Sequence, residues 1–208
     1  MLALRLALLA ALAAPLTAEV PAAVVIVMDI EEPHSRHTME AMQDELEFLM
    51  RRLELRFDWR PYKEALGREI QGELAVVRFK GPCRIPSQQA GPPDYGSRTL
   101  AATHVADGHV LPYIDVYCDR VRQLAEPALS AGNFPSRELL LGRALGRVLA
   151  HELYHLFTGA TGHHEGGLAK RLFTPQDLIQ PGVEFDKQEQ ELLGESFTNR
   201  WPSESPPR

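Results

Sequence analysis

Apolar residues along the first eighty positions are spaced in ways that predict strands and one helix. The run AAVVIVM at 22–28 is apolar and largely β-branched, which is typical of a parallel strand buried on both faces. Between 35 and 55, apolar side chains return every three or four positions among charged ones, which predicts an amphipathic helix. Shorter β-prone runs at 55–59 and 73–80 predict two further strands.

A hairpin is predicted at residues 103–117. β-prone residues lie on both sides of Asp107-Gly108, a pair that favours a tight turn with positive φ. Pro112 cannot donate a main-chain hydrogen bond, so part of the hairpin is expected at a sheet edge. The preceding segment, 81–97, is rich in proline, glycine and polar residues and is predicted to be a long loop.

The second half of the chain is predicted to be mainly helical. Residues 137–158 carry apolar side chains at helical spacing and end before Gly159, a common helix stop. Thr174-Pro175 predicts the start of a short helix, and residues 186–189 have the form of a capping box that starts another. This order of strands, hairpin and helices predicts a single α/β domain over 19–200.

The two ends of the chain differ in composition from this domain. Residues 1–18 have one early cation, Arg5, then a leucine–alanine run and the small pair Thr17-Ala18, which is the layout of a signal peptide. A secreted or periplasmic location is therefore expected, and no other segment predicts a stable membrane anchor. The Pro- and Ser-rich tail, 201–208, is predicted to be disordered.

Charge and cysteine content add two constraints. The 208-residue chain carries a formal net charge of −6, whereas a nucleic-acid-binding domain normally has a basic face, so nucleic acid is not an expected partner. The two cysteines, Cys83 and Cys118, predict one disulfide in an oxidising compartment. The chain is expected to be a monomer.

The strongest chemical signal is the segment His151-Glu152-Leu153-Tyr154-His155, near the end of the long predicted helix. Two histidines four residues apart project from one helix face, one turn apart, so both imidazoles can bind one metal ion. Glu152 follows the first histidine, where its carboxylate can take a proton from a water beside the metal without binding the metal itself. This arrangement predicts a zinc site with hydrolytic chemistry.

A third ligand is expected soon after His155, because catalytic zinc usually has three protein ligands and one open position. Gly159 and Gly162 allow the chain to leave the helix and turn back toward it. Either His163 or His164 then supplies the third nitrogen. Neighbouring residues in extended chain point in opposite directions, so one of the two is expected to bind and not both.

This segment resembles the signature of the metzincin clan of zinc peptidases, HExxHxxGxxH. The resemblance implies an α/β (α+β) zincin-like fold. Such a fold has a mostly parallel sheet, one antiparallel edge strand beside the cleft, an active-site helix and a small C-terminal helical part. The resemblance also implies Zn²⁺ bound by His151, His155 and His163, with Glu152 as the general base.

The chain departs from that signature in two places. The third histidine would fall at Thr161, but His163 and His164 come two and three residues later. The clan has a methionine turn under the metal, yet no methionine follows Met50, and the corresponding position is Ala169. The HExxHxxxGxxxH spacing is similar to a divergent branch in which His163 would be the third ligand and His164 the alternative.

The residues alone leave other assignments open. A downstream glutamate could be the third ligand, as in gluzincins, and Glu184, Glu189, Glu191 or Glu195 could serve; for an aspartate ligand, the first aspartate is Asp177. The loop at 81–86 resembles the cysteine-switch loop of some latent metallopeptidases. With His164 as a fourth ligand the chain would be a non-catalytic zinc-binding module, and a fortuitous motif would leave a metal-free interaction domain. The favoured hypothesis is a secreted zinc-dependent endopeptidase acting on protein or peptide substrates.

Overall fold

The computed structural model of the protein describes residues 23–86, 99–130 and 134–200. The predicted signal peptide at 1–18, the tail at 201–208 and most of the predicted loop at 81–97 lie outside these described residues. The elements that carry the candidate site all lie within them.

One mixed sheet forms the framework of the molecule. Its strands are β1 (Ala23–Ile30), β2 (Arg56–Pro61), β3 (Glu73–Lys80), β4 (Ala101–Ala106) and β5 (His109–Tyr117). They lie in the order β2-β1-β3-β5-β4, all parallel except β4, which runs antiparallel to β5. Residues 24–27 of β1 are at most 3% exposed, which confirms the prediction of a strand buried on both faces. The predicted mostly parallel sheet with one antiparallel edge strand is therefore confirmed.

The hairpin of β4 and β5 has the predicted tight turn. The pair Asp107-Gly108 has φ values of 50° and 76°, the positive angles that such a turn requires. Pro112 lies opposite the register shift in β4 between Thr103 and Val105. The ladder from β5 to β3 begins only at Tyr113, so the missing N–H of the proline breaks no pairing with β3.

The described residues form six α-helices, and the four that the sequence predicts begin close to the expected positions. The six helices are α1 (Arg36–Met50), α2 (Tyr62–Ala65), α3 (Cys118–Leu129), α4 (Phe134–Thr158), α5 (Pro175–Ile179) and α6 (Lys187–Arg200). Both predicted caps are present: Thr174 accepts the N–H of Asp177 at α5, and Asp186 accepts the N–H of Glu189 at α6. In the part of the chain described, no helix is long and apolar enough to span a membrane.

Helix α3 is an element that the sequence analysis does not predict. Its side chains Val121, Ala125 and Leu129 are buried and recur every four residues, which is helical spacing. However, Pro127 lies inside the helix, and proline there removes a main-chain hydrogen bond and usually ends a helix. In the sequence, Pro127 therefore argues against a helix that the spacing of the apolar residues would otherwise predict. The one-turn helix α2 is likewise not predicted.

Close packing of α4 against α1 fixes the position of the helix that carries the histidines. A Cβ on Gly146 would lie 2.7 Å from the carbonyl oxygen of Met42, so only glycine permits this approach. Arg147 is buried beside it and donates to Glu45 of α1 and to the carbonyl of Asp177, both at 2.7 Å. Paired in this way, the buried guanidinium ties α4 to its neighbours on both sides.

A disulfide joins Cys83, which follows β3, to Cys118 at the start of α3. Both cysteines are buried in the core. The predicted disulfide is thus confirmed. Because the sulfur of Cys83 is bonded to another sulfur, it has no thiolate with which to bind a metal, and the cysteine-switch interpretation of residues 81–86 is wrong.

Candidate metal centre

His151 and His155 lie on one face of α4, in its last two turns. Both side chains are buried, at 6% and 8% exposure. Their Nε2 atoms are 3.1 Å apart. Two imidazole nitrogens that bind one tetrahedral zinc at 2.0–2.1 Å lie about 3.3 Å from each other, so this pair is spaced for a shared ion.

Each of these two rings is oriented by a main-chain carbonyl on its other nitrogen. The Nδ1 atom of His151 is 2.9 Å from the oxygen of Leu168, and that of His155 is 2.7 Å from the oxygen of Ala160. A carbonyl can only accept, so Nδ1 carries the proton and the lone pair of Nε2 faces the other histidine. Burial lowers the pKa of His151 to about 4, which keeps that ring in the neutral form that binds metals.

His163 is the third histidine at this point. Gly159, with a φ of 69°, ends α4 and lets the chain turn back. The His163 ring lies 5.2 Å from that of His151 and 4.9 Å from that of His155, measured between centroids. One nitrogen from each histidine falls within 4.8 Å of the other two. His163 lies on the exposed side of the group, and its pKa is lowered by partial desolvation and then by the charges of the two neighbouring rings. Three imidazole nitrogens are a donor set that fits Zn²⁺.

His164 points away from this group, as expected for adjacent residues. Its Nε2 atom lies 2.8 Å from the hydroxyl of Tyr154, and its main-chain N–H donates to the carbonyl of Ala169 at 3.0 Å. Tyr154 itself is fully buried. The structure therefore brings His163, and not His164, to the other two rings.

The alternative carboxylate ligands lie elsewhere. Glu184 pairs with Arg51 at 2.8 Å, and Asp177 pairs with Lys170 at 2.7 Å. Glu189 is buried beside His164, outside the group of three histidines. The two remaining acidic residues, Glu191 and Glu195, are exposed on α6. Within the residues described, the structure brings none of these carboxylates to the three rings.

Glu152 lies next to the histidines and is only 7% exposed. Its Oε2 atom accepts a hydrogen bond of 2.7 Å from the hydroxyl of Thr103 in β4. Burial raises the pKa of Glu152, and the Thr103 hydrogen bond opposes that rise. Thr103 is a contact that sequence reasoning misses, since 49 residues separate it from Glu152 and no local pattern connects them.

An open cleft runs in front of the histidines. Its walls come from the edge strand and from the segment after α4, and its lining residues besides the site itself are Ala101, Ala102, Thr103, Val105, Val110, Ala160 and Thr161. Because β4 is the last strand of the sheet, one side of its main chain faces no other strand in the described structure. The side chains that line this edge are small, which leaves room for an extended chain beside it.

The turn at residues 166–169 lies where the metzincin resemblance places a methionine. Leu168 and Ala169 are both fully buried, and the Leu168 carbonyl holds the ring of His151. The aromatic ring of Phe173 meets His151 edge-on, with centroids 5.4 Å apart. This turn thus contacts the site through its main chain, without a methionine side chain.

Comparison with known proteins finds one informative structural relative. The fold matches that in the crystal structure of archaemetzincin from Methanopyrus kandleri, with a TM-score of 0.52. The match covers 86% of this chain and 96% of that chain, at 12% sequence identity. No protein-family model matches the sequence, and no curated protein matches it. The mixed α/β fold is therefore shared with archaemetzincin, although only 12% of the aligned residues are identical.

Proposed function

We propose that the chain is a secreted zinc-dependent endopeptidase in which His151, His155 and His163 hold Zn²⁺ and Glu152 is the general base. The observation that carries this proposal is the convergence of three imidazole rings at an open cleft, beside a buried carboxylate and an edge strand. The fold similarity to archaemetzincin supports it, since the HExxHxxxGxxxH spacing independently resembles the metzincin signature.

Zinc held here would supply Lewis-acid chemistry, polarising the scissile carbonyl and lowering the pKa of a water molecule. The hydroxyl of Thr103 donates to Oε2 of Glu152, which stabilises negative charge on that oxygen and makes Oε1 the more basic atom to receive the proton of that water. The resulting hydroxide attacks the scissile carbonyl carbon, and the carboxyl of Glu152 donates its proton to the amine nitrogen as the C–N bond breaks. Its raised pKa suits it to hold a proton between these two steps.

The substrate is proposed to be a protein or peptide in extended conformation. The main chain of β4 can pair with such a chain by strand addition, which orients the scissile bond without requiring a particular sequence. The small side chains Ala101 and Ala102 let a peptide approach this edge closely.

Secretion is part of the proposal. Residues 1–18 have the composition of a signal peptide. The buried disulfide between Cys83 and Cys118 supports the same location, because structural disulfides persist in oxidising compartments. The monomeric state expected from the sequence remains a prediction.

A closed, non-catalytic zinc site is less well supported. It would need a fourth protein ligand, and the obvious residue, His164, is turned toward Tyr154. Three protein ligands leave a position for water, which is the arrangement of catalytic zinc sites.

Zinc stoichiometry tests the proposal directly. Elemental analysis of the purified wild-type chain after reconstitution is expected to give about one zinc per chain. His163→Ala is expected to hold much less zinc, whereas His164→Ala serves as the matched control and keeps it. Full zinc in His163→Ala would assign the third ligand elsewhere, and a wild-type chain without zinc would refute the proposal.

A further inference from the structure

Glu189 is a fully buried carboxylate outside the group of three histidines. It accepts three main-chain N–H groups: those of Leu168 at 3.0 Å, Ala169 at 2.7 Å and Asp186 at 2.7 Å. Burying a carboxylate is costly unless several donors satisfy it, and charge-assisted bonds to N–H groups are the strong kind. The carboxylate of Glu189 is therefore stabilised in the interior by these three hydrogen bonds.

Capping of α6 explains one of these three bonds. Glu189 is the third residue of that helix, and its bond from the N–H of Asp186 completes the capping box. The other two bonds reach back 21 and 20 residues to the turn at 166–169. A cap alone does not require them.

The peptide unit between Leu168 and Ala169 links Glu189 to the histidines. Its N–H donates to Glu189, and its carbonyl, at the opposite end of the same planar unit, accepts from Nδ1 of His151 at 2.9 Å. Holding the N–H end fixes where the carbonyl points. The carboxylate also polarises the peptide, which strengthens the bond that the carbonyl accepts.

Gly167 allows this close contact. Its φ is 67°, and a Cβ at this position would overlap the carboxylate of Glu189. The left-handed backbone and the absent side chain together let the carboxylate reach the next two N–H groups.

We infer that Glu189 is a positioning residue for the metal centre, holding the Leu168–Ala169 peptide so that its carbonyl keeps Nε2 of His151 aimed at the ion. This inference rests on the proposed function. The turn that carries a methionine in the metzincin resemblance is here held by a carboxylate from α6.

A second metal site is the competing interpretation of the same residues. Ligand atoms of His164, Asp186 and Glu189 lie within 4.8 Å of one another. However, main-chain N–H groups engage both oxygens of Glu189, and Tyr154 engages Nε2 of His164. Together with the N–H of Asp186, these bonds use three of the four lone pairs of Glu189 and one ring nitrogen of His164, so little of this cluster is left to bind a metal.

Zinc affinity of the full chain tests the inference. The Kd is measured by competition with a chromophoric chelator for wild type, Glu189→Gln and the control Glu191→Gln, which removes the same charge from an exposed position of α6. Glu189→Gln places an amide NH₂ against N–H donors. It is expected to bind one zinc with a Kd raised about tenfold or more, the usual effect of losing an outer partner of a metal ligand. The visible spectrum of its Co²⁺ form is expected to change, whereas Glu191→Gln behaves as wild type.

The remaining outcomes separate the inference from the proposed function. An unchanged Kd and Co²⁺ spectrum in a folded Glu189→Gln variant would overturn the inference. So would two zinc ions in wild type with one lost in the variant, because Glu189 would then be a ligand.

If Glu189→Gln does not fold, Glu189→Asp, which keeps the charge but shortens the reach, is measured in the same way. Amide exchange of Leu168 and Ala169 in wild type must also be slow, and fast exchange would contradict the contact. A wild type without zinc would overturn the proposed function itself, and the inference with it.

Discussion

At the scale of single residues, one hydroxyl connects the edge strand to the proposed general base. The Oγ1 atom of Thr103 is 2.7 Å from Oε2 of Glu152 and 3.1 Å from the main-chain oxygen of the same residue. A hydroxyl has one proton to donate, and the carboxylate is both the nearer and the stronger acceptor. Thr103 therefore makes the two oxygens of Glu152 unequal, with Oε1 the more basic of the two.

Thr103→Val removes this hydrogen bond with almost no change in shape. Loss of a hydrogen bond to a charged group is expected to lower kcat/KM about tenfold, with zinc content unchanged. Peptide hydrolysis and elemental analysis measure the two quantities. Thr198→Val, at an exposed position of α6, is the control and is expected to stay near wild type. Equal activity in both variants would show that the contact with Thr103 has no role in catalysis.

Glu152→Gln tests the carboxylate itself. The amide keeps the size of the side chain but cannot accept the proton of water, so turnover is expected to fall by about 10²–10⁴-fold while zinc remains bound. Steady-state hydrolysis of a peptide library, with zinc measured on the same sample, checks this. Glu165→Gln removes an equal charge from an exposed position near His163 and is expected to retain activity. Substantial hydrolysis by Glu152→Gln would refute the assigned role.

At the scale of elements, the position of the site depends on how closely α4 approaches α1. Gly146 faces the main chain of α1, and a Cβ there would lie 2.7 Å from the oxygen of Met42 and 2.9 Å from the Cβ of Glu45. The buried pair of Arg147 and Glu45 lies next to this contact. A helix shifted outward at this point would strain that pair and move the last turns of α4.

Gly146→Ala is expected to destabilise the protein by about 1–3 kcal/mol, because overpacking at a tight helix contact outweighs the gain in helix propensity. Gly194→Ala in α6 is the matched control, since a Cβ there meets nothing within 4 Å. Helix propensity alone would then stabilise the protein by about 0.5–1 kcal/mol. Denaturant unfolding measures the change in the free energy of unfolding for both variants. An unchanged free energy in Gly146→Ala would contradict the close packing.

At the scale of the whole molecule, the disulfide closes a long loop between the end of β3 and the start of α3. Cys83 and Cys118 are separated by 35 residues, and closing a loop of that length stabilises a folded chain by about 4 kcal/mol through the entropy of the unfolded state. The loop contains the β4–β5 hairpin, which forms a wall of the cleft. The cross-link therefore supports the part of the fold that is proposed to hold the substrate.

Local spacing in the sequence determines much of this fold. Continuous β-branched or β-prone runs predict the strands, and the spacing of apolar residues predicts α1 and α4, because the helical period follows from backbone geometry alone. The same geometry places His151 and His155 on one face of α4. With two cysteines in the chain, one disulfide is the pairing that the sequence allows.

Only the tertiary structure decides the contacts that cross between elements. Whether His163 or His164 lies beside the other two histidines depends on how the chain packs after Gly159, where Tyr154 and Ala169 engage His164. The bonds from Thr103 to Glu152 and from the 166–169 turn to Glu189 join segments with no common sequence pattern. A hydrophobic period records which face of an element is buried, but it carries no information on which distant main-chain group that face will meet.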